Sequence, residues 1–127
     1  MNIYVFGNKL IPEDSQVVTI IPSLEKKFPH ISFIHADPTG NWWRGDRNFT
    51  IIDTVLGINS VTIFTSFEKI EATKSITVHD YDLYMDIQLM KKLKKIDTFT
   101  IIGVPVSVPD VTFEVSRVIL KIIFKPV

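Results

Sequence analysis

The chain has 127 residues, of which 46% are hydrophobic, so it is long enough for one domain with a buried core and too short for two. Lys and Arg together number 14, as do Asp and Glu, and this balance provides no overall field to attract nucleic acid or an anionic membrane. Because the sequence has no Cys, disulfides, thiolate metal sites and cysteine nucleophiles are excluded, and any metal must be held by His and carboxylates.

The apolar N-terminal run lacks a basic flank and reaches Gly7 too soon for a signal peptide or a membrane span. We therefore expect one domain over residues 1–127, cytoplasmic, with no membrane insertion and no nucleic-acid partner.

Short runs of β-branched, aromatic and aliphatic residues predict the strands of a single sheet. They cover residues 3–6, 31–36, 49–53, 61–65 and 98–105. The segment 57–60 is too short for a parallel crossover, so the strand at 61–65 is expected to be antiparallel and at or near an edge of the sheet. The sequence thus predicts an α/β fold with a mixed sheet of about five strands.

Helical spacing of apolar residues predicts helices at 16–28, 80–95 and 111–124. The helix at 80–95 is the clearest, with Leu83, Ile87, Met90 and Leu93 as its apolar face, acids at its start and lysines at its end. The other two segments are rich in β-branched residues, so a strand remains an alternative for each, and Pro22 favours a kinked or interrupted first helix. Residues 66–76 are expected to form a mobile surface segment.

Three polar side chains are expected to share one crevice. Asp53 follows the apolar strand at 49–52, Asp14 follows the first strand, and His79 precedes the helix at 80–95. In an open α/β sheet, ligands bind beyond the carboxyl ends of the parallel strands. Two carboxylates and one imidazole would form an open metal site there, although helix capping by Asp14 or Asp80 accounts for part of the pattern. His30 is expected at the surface and His35 as a structural imidazole in a strand.

The sequence Trp42-Trp43-Arg44 allows two interpretations. It could form an exposed surface for protein recognition, because Trp and Arg dominate interface hot spots. Alternatively, one Trp packs in the core while the other covers a helix flank. A nucleotide-binding domain is disfavoured because neither GxGxxG nor a GxxxxGK[ST] phosphate loop is present.

Several short blocks follow one another along the chain. They are Val5-Phe6-Gly7-Asn8 with Glu13-Asp14, Asp37-Pro38-Thr39-Gly40, Ile51-Ile52-Asp53, His79 with Leu83, and Ile101-Ile102-Gly103-Val104-Pro105. In this order they resemble the hydrogenase maturation endopeptidases, which trim the C-terminal tail of a nickel-iron hydrogenase large subunit after nickel insertion. No single block is specific, but their order is similar to that of the family up to about Pro109.

The resemblance implies a Rossmann-like three-layer sandwich, with a mostly parallel sheet flanked by helices. It also implies that Asp14, Asp53 and His79 contact nickel, either resident or carried by the precursor, and perform the catalytic role, with Glu13 as an auxiliary base. The partner implied is a protein substrate, the hydrogenase large-subunit precursor. The alternative is a non-catalytic α/β binding or assembly module that uses the Trp42-Trp43-Arg44 surface.

Overall fold

The computed structural model describes residues 1–6, 12–37, 40–55, 57–66, 68, 78–106 and 111–124, except for the side chains of 12–16 and 78–82. Its strands and long helices follow one another as β1 (Asn2–Phe6), α1 (Pro12–Lys27), β2 (Ser32–His35), β3 (Asn48–Val55), β4 (Thr62–Phe64), α2 (Val78–Lys92), β5 (Thr98–Pro105) and α3 (Thr112–Ile123). Each predicted strand and helix is therefore present. Apart from Ser66 and Glu68, the segment predicted to be mobile at 66–76 lies outside the described residues.

The five strands form one sheet in the order β2-β1-β3-β5-β4. The first four strands in that order are parallel to one another, and only β4 runs antiparallel, paired with β5 at the edge. The prediction of an antiparallel edge strand at 61–65 is confirmed, because the short connection after β3 leaves no room for a crossover.

Successive side chains of each strand point to opposite faces of the sheet, which divides the core into two layers. On one face, Ile51 and Ile101 pack with Leu83 and Ile87 of α2. On the other face, side chains of the sheet pack with the buried sides of α1 and α3. The result is a three-layer α/β sandwich with a mixed, mostly parallel sheet, as predicted.

The two segments for which a strand remained an alternative are helices. In α1, Val17, Ile20 and Leu24 are buried at helical spacing, and the helix continues across Pro22. Pro22 is exposed, so the backbone hydrogen bond that proline cannot donate is missing on the solvent side of the helix. In α3, Val115 and Ile119 are buried one turn apart, so the packed apolar face outweighs the weak helix propensity of β-branched residues.

Helix α2 begins earlier and ends earlier than predicted, at Val78 and Lys92 instead of 80 and 95. Lys94 adopts a positive φ of 59°. The N–H of Lys94 donates to the carbonyl of Lys91, and that of Lys95 to the carbonyl of Met90, which is the Schellman arrangement of a helix C-terminus. The prediction that Leu93 belongs to the buried face is wrong, since it lies past the helix end and is 56% exposed.

None of the helices in the described part of the chain is both long enough and apolar enough to cross a membrane.

Candidate functional site

Asp53 is the buried acid of the central strand. It lies within β3 and is followed by Thr54 and Val55, so the strand extends beyond the point where the sequence predicted its end. Its partner on β1 is Phe6, the last residue of that strand. Asp53 is therefore level with the carboxyl end of β1, where ligand sites of open α/β sheets are found.

The surroundings of Asp53 are mostly apolar. Its side chain is only 5% exposed, and Oδ1 accepts a hydrogen bond of 2.9 Å from the backbone N–H of Thr54. On its two sides are Phe6 of β1 and Gly103 of β5. Acids are rarely buried to this extent, and a carboxylate in a low-dielectric environment interacts strongly with any cation that approaches it.

Gly103 leaves a space beside Asp53 that other side chains fill. A Cβ at position 103 would lie 2.8 Å from Cε2 of Phe64 and 3.0 Å from Cγ2 of Val55. Because real Cβ contacts are longer than this, only glycine lets the Phe64 ring lie against β5 at this level. Phe64 comes from the antiparallel edge strand, so β4 contributes the apolar wall on this side of Asp53.

The first turns of α1 and α2 point toward the same edge of the sheet. Helix α1 ends at Lys27, shortly before β2 begins, and α2 ends at Lys92, shortly before β5 begins. Both helices therefore run antiparallel to the strands that follow them, which places their N-termini at the carboxyl edge. Helix N-termini carry a partial positive charge that stabilises nearby anions.

Asp14 and His79 belong to these first turns. Asp14 lies in the first turn of α1, which packs on one face of the sheet, and His79 lies in the first turn of α2, which packs on the face that carries Asp53. The topology thus places the backbones of Asp14, Asp53 and His79 at one edge. The side chains of Asp14, His79 and Glu13 lie outside the described residues.

A metal site at this edge stays a prediction. Among the side chains that the structure describes, no three His, Asp or Glu residues come close enough to hold a metal ion, but only Asp53 of the predicted trio is in that set. The donor types are compatible with nickel, because imidazole suits this metal and Ni(II) accepts mixed nitrogen and oxygen donors. His30 is exposed, as expected, whereas His35 lies exposed on the edge strand β2 and is not a buried structural imidazole.

The Trp42-Trp43-Arg44 segment packs against the sheet. Trp42 is 7% exposed and makes edge-to-face contacts with Tyr4, Phe6 and Phe49 at centroid distances of 5.1, 5.3 and 5.4 Å. Trp43 is half-buried against the same cluster and donates from Nε1 to the carbonyl of Asp46. Trp42 therefore belongs to the core, as one of the two interpretations expected, while Trp43 packs on the core cluster and Arg44 is exposed.

Two polar groups near these features were not singled out from the sequence. The Tyr4 hydroxyl donates to Oδ1 of Asp46 at 2.6 Å and accepts from the N–H of Arg44 at 3.1 Å. These two hydrogen bonds hold the segment that contains Trp42 and Trp43 against β1. Burial, and then the hydrogen bond to Asp46, raise the pKa of Tyr4 to about 12. Thr54, whose N–H donates to Asp53, is 5% exposed. In the sequence, the only indication of this contact was that a polar residue directly follows Asp53.

Comparison with known proteins gives matches among solved structures only. The chain matches no protein-family model, and no curated protein matches it. The [NiFe] hydrogenase maturation protease HybD from Thermococcus kodakarensis is 18% identical with a TM-score of 0.63, covering 98% of each chain. The hydrogenase maturating endopeptidase HybD from E. coli is 16% identical with a TM-score of 0.63, covering 97% of this chain and 90% of that one.

A third solved structure, an endopeptidase from Escherichia coli, is 20% identical with a TM-score of 0.60 and covers 83% of this chain and 74% of that one. Identities this low establish the architecture and leave the chemistry to be argued from the residues. The chain has the fold of the hydrogenase maturation proteases.

Proposed function

We propose that this chain is a metal-dependent endopeptidase of the hydrogenase maturation type, which removes the C-terminal extension of a nickel-loaded large-subunit precursor. The observation that carries the proposal is Asp53, a carboxylate only 5% exposed at the carboxyl edge of the central strand. The fold likeness to two maturation proteases over 98% and 97% of the chain supports it.

Asp14, Asp53 and His79 would hold the nickel, whether it is resident or arrives with the precursor. Two oxygens and one imidazole nitrogen leave coordination positions for ligands from the precursor. Asp53 is held by the N–H of Thr54 at 2.9 Å and flanked by Phe6 and Gly103, so its carboxylate is oriented and largely shielded from water. Only a loaded precursor would then dock productively.

When bound, nickel supplies a Lewis acid that polarises the scissile carbonyl or acidifies a water molecule. Glu13, next to Asp14 in the first turn of α1, is the candidate for a base that accepts a proton from that water.

The direct test is cleavage of a purified hydrogenase large-subunit precursor from the same organism, followed by mass spectrometry. The native protein is expected to release a C-terminal peptide from the nickel-loaded precursor and none from the nickel-free form. Asp53→Asn, Asp14→Asn and His79→Gln are expected to abolish release. His30→Gln and Asp97→Asn, which change an exposed imidazole and an exposed carboxylate before the amino ends of β2 and β5, at the opposite edge of the sheet, should cleave at the native rate.

Calorimetry with nickel then distinguishes a resident metal from one that arrives with the precursor. At about pH 8, where an ordinary His is neutral, binding that disappears in both Asp53→Ala and His79→Ala would establish a resident site. Cleavage without prior nickel binding would establish a metal carried by the substrate. Folded native protein that neither binds nickel nor cleaves the loaded precursor contradicts the proposal.

The alternative, a non-catalytic module, relied on an exposed Trp pair. Because Trp42 is buried among Tyr4, Phe6 and Phe49, the surface that would have served such a module consists mainly of Arg44 and the outer part of Trp43. We therefore favour the peptidase.

A further inference from the structure

The three long helices end at the same edge of the sheet. Helices α1 and α2 each end shortly before a strand that begins at the amino edge. Helix α3 ends there too, because Ile122 lines a cleft together with the residues that begin β1, β3 and β5, which are Asn2, Asn48 and Thr98. This edge is opposite the carboxyl edge near which Asp53 lies.

Exposed lysines gather at these helix ends. Each of the three helices has lysine in its last turn, and two more lysines follow α2. We refer to the exposed lysines of this edge as the basic end; they are Lys26, Lys27, Lys92, Lys94, Lys95 and Lys121. None of these six forms an ion pair with a side chain that the structure describes.

The helix dipoles account for only part of this positive charge. Three helix C-termini carry together about −1.5 elementary charges, which is far less than the charge of six lysines. Of the acids at this edge, Asp97 is already paired with Arg47, and Glu25 and Asp46 leave an excess of positive charge. The chain therefore has a strongly basic end although its formal net charge is zero.

The compensating acids lie toward the other edge. Helices α1 and α3 have Asp14 and Glu114 in their first turns, and α2 has Asp80 near its start. Positive and negative charges are thus separated along the direction of the strands. An anionic surface would be attracted by one end of the molecule and repelled by the other.

Large apolar side chains project from the basic end. Leu93 follows the last residue of α2 and is 56% exposed. Ile123 and Phe124, at the end of α3, are 40% and 74% exposed. Because α2 and α3 pack on opposite faces of the sheet, these side chains are spread across the thickness of the sandwich and do not form one groove.

We propose that the basic end docks on an anionic lipid surface. The lysines attract anionic headgroups, and Leu93, Ile123 and Phe124 enter the boundary between headgroups and acyl chains. A nucleic acid would match the lysines but would leave the apolar side chains without a contact. The presence of both kinds of side chain on one end, spread over a broad area, favours lipid.

Docking by this end would keep the opposite edge clear of the lipid. The carboxyl edge, near which Asp53 lies, would then face away from the membrane and stay accessible to a protein substrate. The inference does not depend on the proposed peptidase activity, because the residues that carry it all lie at the amino edge.

Flotation of the full chain with lipid vesicles tests the docking. The protein is expected to float with phosphatidylcholine vesicles that contain about 30% phosphatidylserine and to stay behind with pure phosphatidylcholine. Binding should decline as salt rises from about 0.05 M to about 0.5 M, because salt screens the attraction between exposed charges.

Two phenylalanines of α3 provide a matched pair of variants. Phe124→Ser removes the side chain at the basic end and should weaken vesicle binding by about ten-fold, because apolar contact with the lipid is lost. Phe113→Ser changes a residue that is 64% exposed in the first turn of the same helix, at the other edge, and should bind like the native chain.

Lysine substitutions test the charge on both faces of the sheet. Lys26→Gln/Lys27→Gln and Lys92→Gln/Lys95→Gln should each weaken binding by about 25-fold, because one lysine near an anionic membrane contributes about five-fold. Lys26→Arg/Lys27→Arg keeps the charge and should bind like the native chain. Thermal unfolding confirms that each variant is folded.

A native chain that fails to float with the anionic vesicles at low salt overturns the inference, as does equal binding to neutral vesicles. Binding that Phe124→Ser leaves unchanged, or that Phe113→Ser weakens equally, places the lipid contact elsewhere and also overturns it. A DNA duplex that binds more tightly than the anionic vesicles, with no effect of Phe124→Ser, would assign the basic end to nucleic acid.

Discussion

Asp53 and Gly103 lie opposite each other on adjacent parallel strands, and the space that a side chain at 103 would need is already filled by the Phe64 ring. The candidate carboxylate and the apolar wall beside it thus depend on one residue without a side chain. This arrangement leads to a direct test of packing.

Gly103→Ala is expected to destabilise the fold by about 1–3 kcal/mol, because the new methyl group would lie 2.8 Å from Cε2 of Phe64 in a buried position. Urea denaturation measures the change. Gly40→Ala is the matched control, since its Cβ would make only ordinary contacts, the nearest at 3.6 Å. Adding Phe64→Leu to Gly103→Ala should recover part of the loss, and a double-mutant cycle without coupling would contradict the steric explanation.

The raised pKa of Tyr4 predicts how the free energy of unfolding changes at alkaline pH. Its pKa is raised to about 12, so the native state favours the neutral phenol more than the unfolded chain does, whose tyrosines titrate near 10. The resulting stability is fully present below about pH 10 and is lost as the pH rises through about 12, amounting to about 2–3 kcal/mol.

Tyr4→Phe should remove this component of the alkaline loss. At neutral pH the variant should be less stable by about 1–3 kcal/mol, because Asp46 and the N–H of Arg44 lose a partly buried partner. The unfolding free energies of the native protein and of Tyr4→Phe should converge as the pH rises through the alkaline range. Parallel pH curves would show that Tyr4 does not carry the dependence.

Lys94 occupies a backbone conformation that favours glycine, with φ of 59° at the end of α2. Lys94→Gly is therefore expected to stabilise the protein by about 0.5–1 kcal/mol. Gln88→Gly, at an exposed position inside the helix, should destabilise it by about 1 kcal/mol. Thermal unfolding that shows the same sign for both variants would contradict the C-terminal motif described for α2.

The ion pair between Arg47 and Asp97 predicts that the protein loses some stability in acid. Arg47 Nη2 and Nε donate to the two carboxylate oxygens of Asp97 at 2.9 and 3.1 Å, which lowers the pKa of Asp97, chiefly through the hydrogen bond. The stability it contributes is present above the ordinary Asp pKa and is lost as the pH falls through the lowered value.

Asp97→Asn should therefore melt slightly below the native protein at neutral pH and at the same temperature in strong acid. Because both side chains are 55% exposed, added salt should narrow the neutral-pH difference. Scanning calorimetry across pH, at low and high salt, measures both effects. A difference that persists unchanged in acid would assign the role of Asp97 to something other than its charge.

Local signals were enough to predict most of the fold. Strand alternation, helical spacing around Leu83 and the short connection before β4 each depend on neighbouring residues, and each led to the correct element. The end of α2 was missed because its left-handed position holds Lys94, which gives no sequence signal, where a glycine would have marked it.

The candidate site was predictable only in part. Asp53 followed from its place after an apolar run, and it is buried near the carboxyl end of the central strand, while the crevice shared with Asp14 and His79 stays a prediction. The hydrogen bond from Tyr4 to Asp46 joins residues 42 positions apart, so no local pattern could reveal it. The close approach of Phe64 to Gly103 likewise depends on how β4 and β5 pair across a long connection.

The strand order also determines when the sheet can be completed during synthesis. Strand β3 pairs with β5 in register from Asn48 with Thr98 onward, and β4 pairs with β5. Until the ribosome has released β5, one side of β3 has no strand beside it and β4 has no partner in the sheet. The surface that carries Asp53 is therefore assembled after most of the chain has been translated, and the nascent chain exposes an apolar strand edge until then.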